Sequence, residues 1–263
     1  MLGAIIGDMV GSIYEINNIK TTDFPFWDKY SRFTDDTVLT VAVAKAFMES
    51  MDLSHQEKKA ALVKEMQFFG GLYPNCGFGQ HFKEWLKEKN PQPYNSWGNG
   101  SAMRVASVGW LYNSLEETEE HAKLSAEVSH NHPCGIAGAQ SVASAIFLLR
   151  NGKSKEQVKS YIHTKFNYDF SKTLDEIRPT YGFNQSCEGS VPQSFTAFFE
   201  SENFEDCIGK AVSLGGDSDT IAAIAGSIAE AFYEIPPCHQ KEALNRLEPP
   251  LLAVYKDFLK RRI

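Results

Sequence analysis

The chain has 263 residues, 43% of them hydrophobic and 22% charged, a balance that supports a sizeable buried core and excludes a disordered or low-complexity protein. Its formal net charge of −7 and pI near 5.5 argue against a protein that grips a nucleic-acid backbone, which calls for a basic face. The five cysteines (Cys76, Cys134, Cys187, Cys207 and Cys238) never form a Cys-x-x-Cys pair, so they read as reduced thiols of a cytoplasmic protein rather than as a disulfide framework or zinc knuckle.

The opening stretch GAIIGDMVGSIYE repeats glycine at positions 3, 7 and 11, once per helical turn, which lets another helix approach closely. It lacks a basic leader, is interrupted by Asp8 and is too short to span a bilayer, so neither a signal peptide nor a membrane helix is expected. Asp8 and Glu15, seven residues apart, are expected on one face of this helix. The aromatic-rich segment NNIKTTDFPFWDKY within 17–33 reads equally as a lid or as a surface loop anchored by its Phe and Trp side chains. FTDDTVLTVAVAKAF then places Thr34, Asp35, Asp36 and Thr37 at the head of an apolar helical run.

SHQEKKAALVKEMQFFG opens with a capping box, Ser54 to Glu57, and closes on Gly70; Ser114 with Glu117 and Ser154 with Gln157 repeat the device. Between these helices, NCGFGQHFKEWL sets Gly77 and Gly79 just ahead of a helix. WGNGSAMRVASVGW sets a flexible loop, Gly98 to Ser101, ahead of an apolar helix beginning at Met103. Either loop lets a ligand approach the backbone, although a plain turn or a capped helix start accounts for each one alone. In SHNHPCGIAGAQ, His130 and His132 lie two apart, not at the i, i+4 spacing of zinc ligands on a helix. His130 reads as a hydrogen-bonding or a catalytic residue, and Cys134 has no oxyanion loop beside it to make it a nucleophile. The helix that follows ends at Gly152, a residue suited to a C-terminal cap. Further breaks fall at 20–33, 70–80, 90–101 and 178–192, none of them resembling an interdomain linker.

Near the end, GGDSDTIAAIAGSIAEAFY puts Asp217 and Asp219 at the mouth of the most apolar run of the chain. One aspartate there is an ordinary N-cap. Two aspartates and a threonine, repeated in the Asp35–Thr37 segment, suggest instead a bound cation between two helix starts, because buried anions are costly unless partnered. Hard oxygen donors of this kind suit Mg²⁺, Mn²⁺ or Ca²⁺ rather than zinc. The two segments must then meet in space. With no sustained period-2 alternation anywhere, the expected fold is all-α: one compact, single-domain orthogonal helical bundle over residues 1–263.

These motifs, in this order, resemble the ADP-ribosylglycohydrolase family: GAIIGDMVGSIYE, FTDDT, GFG, GNGSAMR, SHNHP followed by GIAGAQ, and GGDSDTIAAIAGSIAEAFY. The resemblance covers nearly the whole chain. It implies an all-α hydrolase with two adjacent divalent cations, Mg²⁺ or Mn²⁺, at the bottom of an ADP-ribose cleft. Carried over by motif, Thr34, Asp35 and Asp36 supply one side of the metal pair and Asp217, Asp219 and Thr220 the other. Glu15 or Asp36 is the implied general base. Gly77, Gly79, Asn99, Gly100, Ser101, Met103 and His130 are implied to line the ADP-ribose site, and Gly215, Gly216 and Ser218 to border the ribose. Implied partners are an ADP-ribosylated protein or an ADP-ribose-containing small molecule. The resemblance leaves the cleaved linkage and the oligomeric state open, and a non-catalytic ADP-ribose-binding module or a structural helical protein stands as the alternative.

Overall fold

The computed structural model describes residues 1–263 and contains helices without a single strand. In chain order they are α1 (Leu2–Gly11), α2 (Asp35–Ser50), α3 (His55–Leu72), α4 (Gln80–Trp85), α5 (Gly100–Met103), α6 (Val108–Leu111), α7 (Leu115–Glu127) and α8 (Pro133–Arg150), followed by α9 (Lys155–Phe166), α10 (Leu174–Ile177), α11 (Cys187–Phe199), α12 (Phe204–Val212), α13 (Ser218–Ala229), α14 (Pro237–Arg246) and α15 (Pro249–Arg261). No helix is long and apolar enough to cross a membrane, and all five cysteines are free thiols.

The capping signals act much as their chemistry dictates. Ser54 and Ser154 each complete a reciprocal capping box, with Glu57 and Gln157. Ser114 accepts from the Glu117 N–H but receives no return bond from the Glu117 side chain. The third helix runs past Gly70 to Leu72, because Gly70 packs against Leu86 inside the molecule rather than ending the helix. Helix α8 ends at Arg150, and Gly152 takes the left-handed conformation (φ +82°) just beyond it. The break expected across 178–192 is shorter than its composition suggests, since Ser186 caps α11 from Cys187 onward.

Helices α1 and α13 form the centre of the molecule: every residue of both is buried, as expected of helices that are apolar on all sides. The glycine stripe of α1 sets their contact. Cβ atoms added at Gly3, Gly7 and Gly11 would lie 2.1, 2.0 and 2.5 Å from the backbones of Gly226, Ala222 and Asp219 respectively. The helices therefore run antiparallel at a distance only glycine permits, and the C-terminal end of α1 is pressed onto the head of α13. Around this pair, 67 buried apolar residues form one connected core. Gly7→Ala is expected to destabilise the fold by at least about 3 kcal/mol, because the new methyl meets backbone that cannot rotate away. A urea titration that finds less than about 1 kcal/mol would contradict this account of the crossing.

The aromatic segment after α1 is anchored away from the interior cleft described below. Phe26 stacks on His239 with ring centroids 4.2 Å apart, and Trp27 Nε1 donates to His239 Nδ1 at 2.9 Å. No residue from 17 to 31 lines that cleft, so the loop reading describes this segment better than the lid reading. Its polar side chains have another task. Asn18 accepts from the Gly216 N–H through Oδ1 and donates through Nδ2 to the carbonyls of Tyr14 and Glu15, while Lys20 Nζ donates to the carbonyls of Tyr181 and Leu214. The turn carrying Glu15 and the loop leading to Asp217 are thereby tied together.

Candidate active site

The heads of α2 and α13 meet at the bottom of an open cleft of about 320 Å³. Contact is direct: Thr220 Oγ1 donates to Asp36 Oδ2 at 3.2 Å across 184 residues of sequence. At α2 the capping work falls to Thr34, whose hydroxyl accepts from the Asp36 N–H. At α13, Asp217 occupies the cap position but makes no side-chain cap bond; Asn99 Nδ2 donates to its Oδ2 at 2.7 Å instead. Asp35, Asp36 and Asp217 are thus free of the capping role that would have accounted for each of them singly.

Asp8, which α1 carries to the same place, is fully buried and acts as an anchor. Its carboxylate accepts from the N–H and hydroxyl of Thr34 and from the N–H and hydroxyl of Thr37. It therefore holds the first turn of α2, whose dipole favours an anion there, against α1. Glu15 reaches the cleft by a different route from the one expected. Helix α1 stops at Gly11 and Glu15 lies in the following turn, because the chain must leave the helix where Gly11 abuts Ser218 and Asp219. The shared helical face of Asp8 and Glu15 is accordingly not formed.

Two carboxylate trios result: Asp8, Asp36 and Asp219 each offer an oxygen within 4.8 Å of the others, and so do Glu15, Asp217 and Asp219. Asp219 belongs to both. Among the charges that act on Glu15, only Arg32, an exposed residue of the cleft wall, opposes the carboxylates. Asp36 is therefore held well above the usual carboxylate range, first by burial and then by the charge of Asp219. Asp219 is raised likewise by burial and then by Asp217. Asp35 is pushed up to about 8 by burial and then by Asp8. Glu15 is raised by burial, then by Asp217 and Asp8, with Arg32 opposing. Burial raises Asp217 and Asp8 too, against the lowering effect of their hydrogen bonds from Asn99 and the two threonines. Asp36 Oδ1 is buried with no hydrogen-bond partner at all, a costly state for an anion that a cation would relieve. Such an oxygen-only, acidic donor set fits a hard divalent ion.

The wall of the cleft contains Glu15, Thr34, Asp35, Asp36, Gly77, Gly79, Asn99, Gly100, Met103, His130, Asp217, Asp219 and Thr220. Four other expected wall residues lie elsewhere. Ser101 is fully buried behind the wall, its hydroxyl donating to the Gly135 carbonyl at 2.7 Å, because α5 starts at Gly100 and turns this side chain inward. Ser218 likewise donates inward to the Gly11 carbonyl at 3.2 Å. Gly215 and Gly216 take left-handed conformations (φ +66° and +71°) and pack against Asn18 and Tyr181, so they shape the loop that delivers Asp217 without facing the cleft. The expected helix from Met103 is also displaced: α5 ends there and α6 begins at Val108.

With this geometry in view, the likeness to known proteins is informative. The ADP-ribosylglycohydrolase family model matches residues 1–259. The chain belongs to the ADP-ribosylglycohydrolase family. Membership makes it an enzyme of the glycohydrolase class. Among relatives, the ADP-ribosylhydrolase ARH3 of Mus musculus is 25% identical over 96% of this chain and 88% of its own length. The ADP-ribosylarginine hydrolase Tri1 of Pseudomonas putida (strain GB-1) is 26% identical over 89% of this chain and 70% of its own. A solved structure titled ADP-ribosylglycohydrolase-related protein complex superimposes with a TM-score of 0.69 at 18% identity, covering 100% of this chain and 97% of that one, which establishes the shared fold. For this family member, sequence reasoning did not assign a role to Asp8, Arg32, Tyr94, Phe183 or Gln185. Asp8 carried a signal, as the one charged residue in an otherwise apolar helix. The other four sit in loops or at loop edges with no periodicity to mark them.

Proposed function

We propose that this protein is a divalent-metal-dependent hydrolase that cleaves the glycosidic bond between ADP-ribose and an acceptor, either a protein side chain or a small molecule. The observation that carries this reading is the pair of carboxylate trios joined at Asp219, with the orphaned Asp36 Oδ1 beside them. Two trios with a common member suit two neighbouring ions, Mg²⁺ or Mn²⁺: of the proposed ligands, Asp36, Asp217 and Asp219 belong to the trios, and Thr34, Asp35 and Thr220 line the cleft beside them. When bound, such ions supply a positive template for ribose hydroxyls and lower the pKa of a water.

The chain's own residues account for the remaining steps. Cleavage at the ribose C1 develops oxocarbenium character, and the concentration of carboxylates at the cleft bottom favours that positive charge. Glu15 is better placed than Asp36 as the general base: it is half-buried and open to the cleft, whereas Asp36 is 2% exposed and bonded to Thr220. From there its carboxylate can take a proton from an attacking water. Gly79, beside which no atom fills the place of a side chain, leaves backbone open to the phosphates of the ligand, and Gly77 and Gly100 let Asp35 and His130 approach the same wall, which reconciles an anionic substrate with an acidic protein. Glycosidic cleavage and the family's match across residues 1–259 are also consistent with a single working domain.

The deciding experiment is a panel of ADP-ribosylated arginine, ADP-ribosylated serine, ADP-ribosylated nucleic acid and O-acetyl-ADP-ribose, each incubated with the protein and Mg²⁺ or Mn²⁺. Release of ADP-ribose from at least one, abolished by chelation, is the expected result. Binding of ADP-ribose without release from any member would instead make the chain a nucleotide-binding module.

A further inference from the structure

Arg104 is fully buried and has no carboxylate partner. Its Nη2 donates to the Ser125 carbonyl at 2.8 Å and to Ser129 Oγ at 2.9 Å, while Nε and Nη1 have no partner. The guanidinium lies against Phe82, 5.7 Å from the ring centroid, and Arg104 and Phe82 both belong to the lining of the cleft. A guanidinium only donates, so Ser129 Oγ is an acceptor in that bond. Ser129 is itself fully buried, and its other side-chain partner is His130 Nδ1 at 2.8 Å. The Ser129 hydroxyl hydrogen therefore goes to Nδ1. Were Nδ1 the protonated nitrogen, that buried hydroxyl would have no acceptor for its hydrogen, which is an unfavourable arrangement.

The proton of the His130 ring is thus on Nε2. Burial and then the nearby charge of Arg104 hold His130 well below the usual histidine range, so the ring is neutral. Nε2 has no partner within the protein and sits beside two glycines of the cleft wall: a methyl on Gly100 would lie 3.0 Å from it and one on Gly98 3.5 Å. Any larger residue at Gly100 would cover this N–H.

We propose that Arg104 and Ser129 are positioning residues that lock His130 in its Nε2–H form, giving the cleft one fixed, uncharged donor for an oxygen of the bound ligand. An uncharged donor of fixed direction recognises an oxygen by geometry and adds no charge to a cleft already crowded with carboxylates. The second half of this proposal rests on the cleft being an ADP-ribose site; the tautomer lock does not.

Nitrogen-15 NMR of histidine-labelled full-length protein tests the lock without any ligand. The wild type is expected to show a protonated Nε2 and an unprotonated Nδ1 for His130, and Ser129→Ala to show both nitrogens averaged between forms. A protonated Nδ1 in the wild type, or an unchanged signature in Ser129→Ala, overturns it. The role of the donor is read from ADP-ribose affinity in the presence of Mg²⁺. His130→Gln, whose amide N–H occupies the ε position, is expected to bind within about threefold of wild type. His130→Asn, which reaches only the δ position, and Ser129→Ala are expected to bind about fivefold to tenfold more weakly, the size of one hydrogen bond. Equal affinities for the Gln and Asn variants would sink the donor role. Failure of the wild type to bind ADP-ribose at all would remove the reading of the cleft and with it the donor role, while the NMR result would still decide the lock.

Discussion

Asp219→Asn is expected to raise the melting temperature of the metal-free protein by about 2–4 °C while abolishing the stabilisation produced by Mg²⁺ or Mn²⁺. The two effects have one cause. In the absence of a cation, Asp219 is a buried acid that belongs to both carboxylate trios and faces Asp217, Glu15, Asp8 and Asp35. An isosteric amide is neutral at every pH, so it removes the burial and repulsion that hold Asp219 well above the usual carboxylate range, and the fold gains. With a cation present, Asp219 is the one residue common to both halves of the proposed ion pair, so its loss weakens both. Hydrolysis should fall by about 10³-fold or more, equivalent to the loss of several kcal/mol of transition-state stabilisation. Differential scanning fluorimetry with chelator and with each metal separates the two effects. An intact metal-induced shift in the variant would take Asp219 out of the ligand set, and a lowered metal-free midpoint would mean that its hydrogen bonds outweigh its repulsions.

The second large effect is an inversion of pH dependence by metal. Asp35, held at about 8, and Asp36 and Asp219, both held well above their usual values, all bind protons more tightly in the folded state than in the unfolded chain. Between the unfolded carboxylate pKa of about 4 and those raised values, the native state carries the extra protons, so stability falls as pH rises. The metal-free protein is therefore expected to melt several degrees higher near pH ~5 than near pH ~8. A bound cation reverses the sign, since it needs the ionised carboxylates and its binding releases their protons. With saturating Mg²⁺ or Mn²⁺, the midpoint should rise over the same interval and metal affinity should climb with it. Parallel melting curves in chelator and in metal, with the same slope against pH, would show that these acids are neither strained without a cation nor ligands to one.

Much of this arrangement is legible in the linear chain because its causes are local. The apolar runs after Asp36 and Asp219 are helical on their own periodicity, and the Ser54 and Ser154 boxes announce helix starts through side chains three residues away. The two acidic segments draw attention because each places more carboxylate at a helix head than capping can use. Glycines at 3, 7 and 11 indicate a close helix contact, and α13 is found where that contact is made. The family resemblance then organises these pieces into a cleft.

What lay beyond the sequence depends on direction and on partners remote along the chain. Ser101 and Ser218 sit in motifs that flank the site, yet their hydroxyls turn inward to carbonyls of Gly135 and Gly11. Asp8 is recognisable as an odd charge, but its role as the anchor of α2 exists only because α1 lies against that helix head. Glu15 joins the site from a turn tied to Gly216 by Asn18, not from a helical face. The relay from Arg104 through Ser129 to His130 joins residues that no spacing rule connects.

Periodicity, capping and composition act over a few residues, which is why the linear chain already makes this protein all-helical, marks where most helices begin, and shows two acid-rich helix heads with more negative charge than local structure requires. Which of those acids are bound by neighbouring donors, which oxygen is left without one, and which side chains face the cleft are fixed by the folded arrangement instead. Those outcomes arise from packing across long stretches of the chain, 207 positions between Gly11 and Ser218, where a side chain's surroundings are set by helices that are distant in sequence and adjacent in space.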